Sequence, residues 1–283
     1  MDTEKARIFL SVMNSGSLSA AAEQLGYTTS GISRSIASLE EEIGISLFTR
    51  GKKGAWPTSD AMPFVPIMRE LVYQADKLKE TAHRIQGLEE GTLTIGISYA
   101  GYFKLISGQL KHFTDRYPRI KIKTLQATST ELLHAMEHHD IDIAIMTYRT
   151  SDHCFHKLRT DPMAACIPSD HPLAKEKAFP ITAFEQESFI APYPNYDTDY
   201  RRTFEQLNIH PNIQFTTTDI YAAYCMVEAG LGCTLLNRLE IEAWNGDVTI
   251  LNTTPQINFE IGVMYPKDEL LSHAAKVFLE EIL

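Results

Sequence analysis

Residues 16–50 read GSLSAAAEQLGYTTSGISRSIASLEEEIGISLFTR, and this stretch decides the fold of the N-terminal part of the chain. Ser17 stands just before the apolar positions Leu18, Ala21, Ala22 and Leu25, where a helix N-cap belongs because its hydroxyl accepts an unpaired backbone N–H. Gly26 stops that helix, and Thr28 or Thr29 caps the next. In the second helix Ile32, Ile36, Leu39 and Ile43 fall on one stripe that faces a core. The opposite stripe carries Ser30, Ser33, Arg34 and Ala37, which are small, hydrogen-bonding or cationic. A helix held by its neighbour with a short polar face outward suits the DNA major groove.

The flanking residues extend the unit. Residues 4–14 read as a first helix with Ile8, Phe9 and Val12 inward. Leu47–Arg50 reads as a strand, Gly51-Lys52-Lys53-Gly54 as a basic turn and Ala55–Thr58 as a returning segment, so a wing follows the helix pair. Its cations suit sugar-phosphate or the minor groove. From Ala61 the apolar positions Phe64, Met68, Leu71, Ala75, Leu78, Ala82 and Ile85 follow at alternating spacings of three and four. Such a heptad seam with charged flanks predicts pairing with a second copy. A helix that begins near Pro63 accommodates both Pro63 and Pro66, because its first N–H groups have no intrahelical partner.

Bulk properties set the frame. A length of 283 residues favours two domains. The net charge of −10 argues against nucleic acid only on average, since residues 1–58 hold six basic and six acidic side chains and the remainder carries the excess. Neither a signal-peptide pattern nor an apolar run of spanning length is found, which predicts a cytoplasmic protein without membrane contact. Cys154, Cys166, Cys225 and Cys233 lack CxxC spacing and read as free thiols, with a redox pair of Cys225 and Cys233 the weaker reading. From Gly91 onward strand and helix patterns alternate, which predicts an α/β sheet covered by helices.

Taken together these residues resemble the LysR-type transcriptional regulators over nearly the whole chain. The N-terminal pattern is Phe9-Leu10, Gly16-Ser17-Leu18, Ala21-Ala22, Leu25, Ser33, Ile36, Leu39-Glu40, Gly44, Leu47-Phe48, Arg50 and Thr58, without insertion. Downstream lie Asp142-Ile143-Ala144-Ile145, His171-Pro172-Leu173-Ala174 and Ala229-Gly230-Leu231-Gly232. The chain departs from the family at Thr29-Ser30, where Gln-Pro is frequent, and at Ala61 and His139, where glycine is frequent. Asn237 stands near a common proline.

The resemblance implies a winged helix-turn-helix over 1–58, a dimerising linker helix over 59–90 and a two-lobed, periplasmic-binding-protein-like α/β domain over 91–283. Lobe I is expected at about 91–162 and 267–283, and lobe II at about 163–266. The expected partners are double-stranded promoter DNA, a small effector between the lobes, further copies forming a homodimer and then a homotetramer, and RNA polymerase. Candidate DNA-reading residues are Thr28, Thr29, Ser30, Ser33 and Arg34, with Arg50, Lys52 and Lys53 on the wing. Arg34 suits either guanine or a phosphate, and Ser33 either reads or packs inward.

By the same resemblance the effector cleft takes Ser98, Tyr99, Thr128, Ser129, Thr147, Tyr148 and Thr218. Thr128-Ser129 serves either to hold a carboxylate or as a plain helix cap. Tyr193, Tyr196 and Tyr200, with Arg201 or Arg202, suggest an organic or aromatic acid. His134 and His138, one helical turn apart, read as surface histidines, and neither metal nor cofactor is expected. No serine or cysteine has a recognisable base, so an enzyme is not expected. The rival reading is a solute-binding module or enzyme of the binding-protein fold, carrying a helix-turn-helix that docks on protein.

Overall fold

The computed structural model describes residues 2–51, 54–85, 90–267 and 271–283. The chain divides into two compact units, Met1–Glu90 and Gly91–Leu283.

In the first unit α1 (Thr3–Ser15), α2 (Leu18–Leu25) and α3 (Thr29–Ile43) begin on side-chain caps from Asp2, Ser17 and Thr28 and end on Gly16, Gly26 and Gly44 in the left-handed region. Phe9, Val12, Ile32, Ile36, Leu39 and Leu47 are fully buried together. Burial of each such side chain is worth roughly 1.5–3 kcal/mol, which fixes α3 and turns its polar stripe outward. Strands β1 (Phe48–Gly51) and β2 (Gly54–Pro57) pair antiparallel as the wing. A 3₁₀ turn over Ser59–Ala61 precedes α4 (Phe64–Ile85), so Pro63 lies just outside the helix and Pro66 within its first turn.

The heptad seam divides. Ala61 and Met68 are buried in the unit's own core, and Phe64, Val65, Leu71 and Val72 pack against it. An Arg7–Asp76 ion pair ties α1 to α4. Leu78, by contrast, is 72% exposed. The early part of the seam is therefore spent within the chain, and exposure of its apolar positions is found further along the helix.

The second unit is built on one curled sheet ordered β4 (Ile120–Gln126), β3 (Gly91–Ile97), β5 (Ile143–Thr147), β12 (Asn258–Tyr265), β6 (Cys154–Pro168), β11 (Val248–Thr254), β7 (Phe179–Pro180), with β10 (Thr234–Asn237) also on β6. β3, β4 and β5 run parallel, whereas β12 is antiparallel to both β5 and β6. Helices α5 (Phe103–Arg116), α6 (Ser129–Glu137) and the terminal α10 (His273–Ile282) belong to the β3–β4–β5 end. All five residues of β5 are buried, as a parallel strand covered on both faces requires. The other end carries the parallel pair β8 (Phe189–Pro192) and β9 (Ile213–Thr217) with α7 (Asp199–Leu207), α8 (Ile220–Glu228) and α9 (Arg238–Ile241). These two ends are the lobes. Their apolar interiors meet, because Ile95, Phe113 and Phe278 share one cluster with Ile190, Ile220 and Leu236.

β6 is longer than the Ala164–Pro168 segment its apolar run suggests. Cys154–Met163 alternates poorly and extends because β12 supplies a partner across Cys154–Pro162. β11 has the same cause: its half-buried positions pair with β6. Gly232, at φ +157, lets β10 start where any Cβ would meet the Ser188 carbonyl oxygen at 2.2 Å. His139 holds a left-handed φ of 56°, which accounts physically for glycine being frequent there.

Candidate functional site

In the N-terminal unit Thr28, Thr29, Ser30 and Arg34 are exposed on the first turns of α3, and Ser33 is half-buried. The Thr28 hydroxyl accepts from Gly31 N at 3.1 Å and lies 3.2 Å from that of Ser30. Arg34 Nε donates to the Ser30 carbonyl at 3.3 Å, which holds the guanidinium stem along the helix beside those hydroxyls. Arg50 lies on β1 opposite Ala55. Lys52 and Lys53 fall outside the described residues.

Two contacts aim the wing. Glu40 of α3 accepts from Leu47 N at 2.7 Å and Phe48 N at 3.1 Å, so the recognition helix holds the strand that follows it. At the other edge Ala55 N donates to Gly16 O at 3.0 Å, and a Cβ at Gly54 would strike that same oxygen at 2.5 Å. Trp56 on β2 is 46% exposed, and Tyr27, 47% exposed, donates to Glu4 at 3.0 Å. Neither aromatic stood out in sequence, because each interrupts no periodic pattern.

In the second unit a cavity of about 210 Å³ opens between the lobes. Ser98, Tyr99, Gln126, Ala127, Thr128 and Glu131 form one wall, and Tyr193, Tyr196, Thr198 and Ile220 the other. Ser98 Oγ is buried without a hydrogen-bond partner. An orphan hydroxyl costs about 1–3 kcal/mol and marks a position that a ligand atom relieves. Tyr193 keeps a left-handed φ of 50°, with its N–H on Thr217 O at 2.7 Å; strain of this kind concentrates at binding walls. Its phenol is pushed upward in pKa by burial and then by the negative charges of Asp219 and Glu240.

Of the expected effector residues, the cavity brings together Ser98, Tyr99 and Thr128. Thr128 is engaged as a cap: its hydroxyl accepts from Glu131 N at 3.3 Å, while Glu131 accepts from Thr128 N at 2.9 Å and Oγ1 at 2.8 Å. Ser129 is buried behind the wall and its hydroxyl is also unpartnered. Thr147 is fully buried and donates to Asp199 at 2.8 Å. Tyr148 is 46% exposed and packs edge-on against Phe155, and Thr218 is exposed ahead of α8. These last four therefore lie off the cavity wall. Arg201 and Arg202 do not supply its charge either. Arg202 Nε donates to Asp197 at 2.6 Å, and Arg201 is spent on the carbonyls of Pro194 and Tyr196 and on Glu205.

Behind this wall lies a buried centre of which only Thr147 and Asn237 stood out in the sequence. Arg149 Nη2 donates to Asp199 Oδ1 at 2.6 Å, and Oδ2 accepts from Thr147 at 2.8 Å and Asn237 at 3.1 Å. Separately, nearer the surface, Thr130 donates to the half-exposed Asp197 at 2.6 Å. A larger hollow, about 430 Å³, runs along α7 and residues 208–213. All its lining comes from one lobe, so it does not report on the relation between lobes.

Burial pushes the thiols of Cys166 and Cys233 up to about 12, and all four cysteines are free. Buried thiols held protonated in this way are poor nucleophiles. No helix among the described residues is long and apolar enough to cross a membrane.

A winged helix-turn-helix joined to a two-lobed sensor with an interlobe cavity defines a DNA-binding regulator. The profile of bacterial regulatory helix-turn-helix proteins of the lysR family matches residues 3–62, and that of the LysR substrate binding domain matches residues 86–283. The chain belongs to the LysR family of transcriptional regulators. The uncharacterized HTH-type transcriptional regulator YvbU of Bacillus subtilis is 26% identical over 287 residues, covering 99% of this chain and 97% of its own. The transcriptional dual regulator GltC of the same organism is 26% identical over 290 residues, covering 100% and 97%. In fold the chain is similar to full-length OxyR C199D from Pseudomonas aeruginosa, with a TM-score of 0.73 at 18% identity and coverage of 100% and 94%. CbnR in complex with its target DNA gives a TM-score of 0.66 at 16% identity, with coverage of 100% and 99%.

Proposed function

We propose that the chain controls transcription by binding promoter DNA through α3 and the wing, in the cytoplasm, under the control of a small molecule held between its lobes. Thr28, Thr29, Ser30, Ser33 and Arg34 read or position the duplex, and Arg50, Lys52 and Lys53 meet its backbone. The exposed part of α4 around Leu78 pairs two copies, and pairs of dimers form a homotetramer on DNA, with RNA polymerase as a further partner. The lobes follow the division 91–162 with 267–283, and 163–266. Ligand binding shifts the balance of lobe arrangements and thereby the spacing or angle of paired DNA readers. The chain is a regulator and not an enzyme.

The observation that carries the effector reading is the orphan Ser98 hydroxyl in a cavity walled from both lobes. The aromatic half of the expected organic or aromatic acid is supported by Tyr99, Tyr193 and Tyr196. The acid half is not, since the wall carries Glu131 and no cation among its lining residues. We therefore favour a flat apolar effector bearing a hydroxyl or an amine. A metabolite screen by thermal shift tests the site. A specific ligand raises the Tm of the wild-type chain by mass action and raises that of Ser98→Ala less. A ligand that stabilises both equally binds elsewhere.

A further inference from the structure

Two clusters of metal-ligating side chains lie outside the site described above, one at His171, Glu187 and Cys233 and one at His134, Glu137 and His138. In each, one candidate ligand atom per residue lies within 4.8 Å of the others. Hydrogen bonding separates them. His171 Nδ1 accepts from Leu173 N at 3.1 Å, so its ring proton sits on Nε2, the nitrogen 3.4 Å from Glu187. That nitrogen is a donor and not a ligand, and the thiol beside it is held protonated by burial. The first cluster is thus a capped imidazole–carboxylate contact.

The second cluster has the opposite arrangement. His138 Nδ1 lies 2.7 Å from the His134 carbonyl oxygen, which can only accept. The ring proton is therefore on Nδ1, and Nε2 keeps its lone pair. A ligating histidine that donates its other N–H to a carbonyl is the arrangement that fixes tautomer and raises basicity in metal sites. The His134 ring stands 4.0 Å from that of His138, centroid to centroid, and its Nδ1 is 3.6 Å from Glu137 Oε2. His134 and Glu137 are solvent-exposed, at 72% and 51%. All three project from the last turn of α6, where spacings of three and four bring side chains onto one face.

We propose that His134, Glu137 and His138 form a site for a first-row divalent transition ion such as Zn²⁺ or Ni²⁺. Two imidazoles and one carboxylate suit such ions, and suit poorly the all-oxygen preference of Mg²⁺ and Ca²⁺. Water completes the coordination at this open surface. The cluster occupies the end of the helix whose start, Thr128 and Glu131, borders the interlobe cavity.

The test is isothermal titration of the full chain with ZnSO₄ in a non-chelating buffer, repeated for three variants. The expected result is one zinc per chain, weakened at least tenfold by His138→Gln and by His134→Gln and unaffected by His171→Gln. Because neither His134 nor His138 belongs to the buried core, unchanged thermal melts without zinc certify folding. Absence of zinc binding by the wild-type chain overturns the site. So does binding lost in His171→Gln and kept in His138→Gln, which would place the ion at the Cys233 cluster.

Discussion

The carboxylate of Asp199, at the start of α7, is paired at 2.6 Å with the guanidinium of Arg149, beside the end of β5, and both side chains are withdrawn from solvent. Asp199 also accepts from Thr147 and Asn237, so one side chain gathers residues of both lobes. Removing one member of a buried pair leaves the other charge uncompensated, at a cost of roughly 3–5 kcal/mol. Asp199→Ala is therefore expected to lose about that much in urea unfolding, whereas Arg202→Ala, whose partner Asp197 is half-exposed, loses under about 1 kcal/mol.

Glu40 couples the recognition helix to the wing through Leu47 N and Phe48 N. Glu40→Ala leaves two strand-entry donors without their acceptor, for roughly 1–3 kcal/mol of local stability. DNA affinity is expected to fall although α3's outward face is unchanged. Fluorescence anisotropy checks this, with circular dichroism showing retained helix.

Asp161 supplies a pH signature. Burial raises its pKa to about 6, above the roughly 4 of an exposed carboxylate, while its oxygens accept from Leu239 N. A raised folded-state value means that the native state holds the proton more tightly, so this group's contribution to stability declines as pH rises from about 4 to about 6. In Asp161→Asn that decline is absent. The stability of the variant relative to wild type should climb across this window and stay level above it, as chemical denaturation at stepped pH will show. A flat difference contradicts the assignment.

How much was legible in sequence depended on how local the cause was. α2 and α3 announced themselves through Ser17, Gly26, Thr28 and Gly44, whose capping roles act within one turn. The outward face of α3 followed from the burial of Ile32, Ile36 and Leu39. The early reach of β6 did not, because Cys154–Met163 is extended by β12, about a hundred residues later. The cavity was legible only in part. Ser98 and Thr128 end predictable elements and Tyr193 and Tyr196 stood out as aromatics, but Gln126, Glu131 and Thr198 join them only through tertiary packing. The heptad seam was legible as a pattern, yet not its division, since Met68 gives the same signal whether it packs against α1's core or a second chain.

Glu131 is the one charged side chain among the residues lining the interlobe cavity. Benzylamine, benzyl alcohol and benzoate share a ring and differ in charge, so they isolate this one effect. The amine is expected to raise Tm most and benzoate least, with at least a tenfold gap in affinity between them from a single nearby carboxylate. Glu131→Gln, which keeps an acceptor for Thr128 N, should narrow the gap. Benzoate binding tightest would restore the acid reading without moving the site.

Promoter recognition through α3 and the wing is tested by binding to the DNA upstream of the chain's own gene. Anisotropy with that DNA and with a shuffled duplex, at two salt concentrations, separates an operator reader from a protein-docking helix-turn-helix. An operator reader binds the upstream DNA at least 10³-fold tighter, with salt sensitivity on both duplexes. In such a reader Arg34→Ala weakens binding and lowers the salt slope by about one if Arg34 holds a phosphate, or relaxes sequence preference if it reads a base. Equal affinity for the two duplexes, unmoved by Arg34→Ala, would contradict promoter recognition.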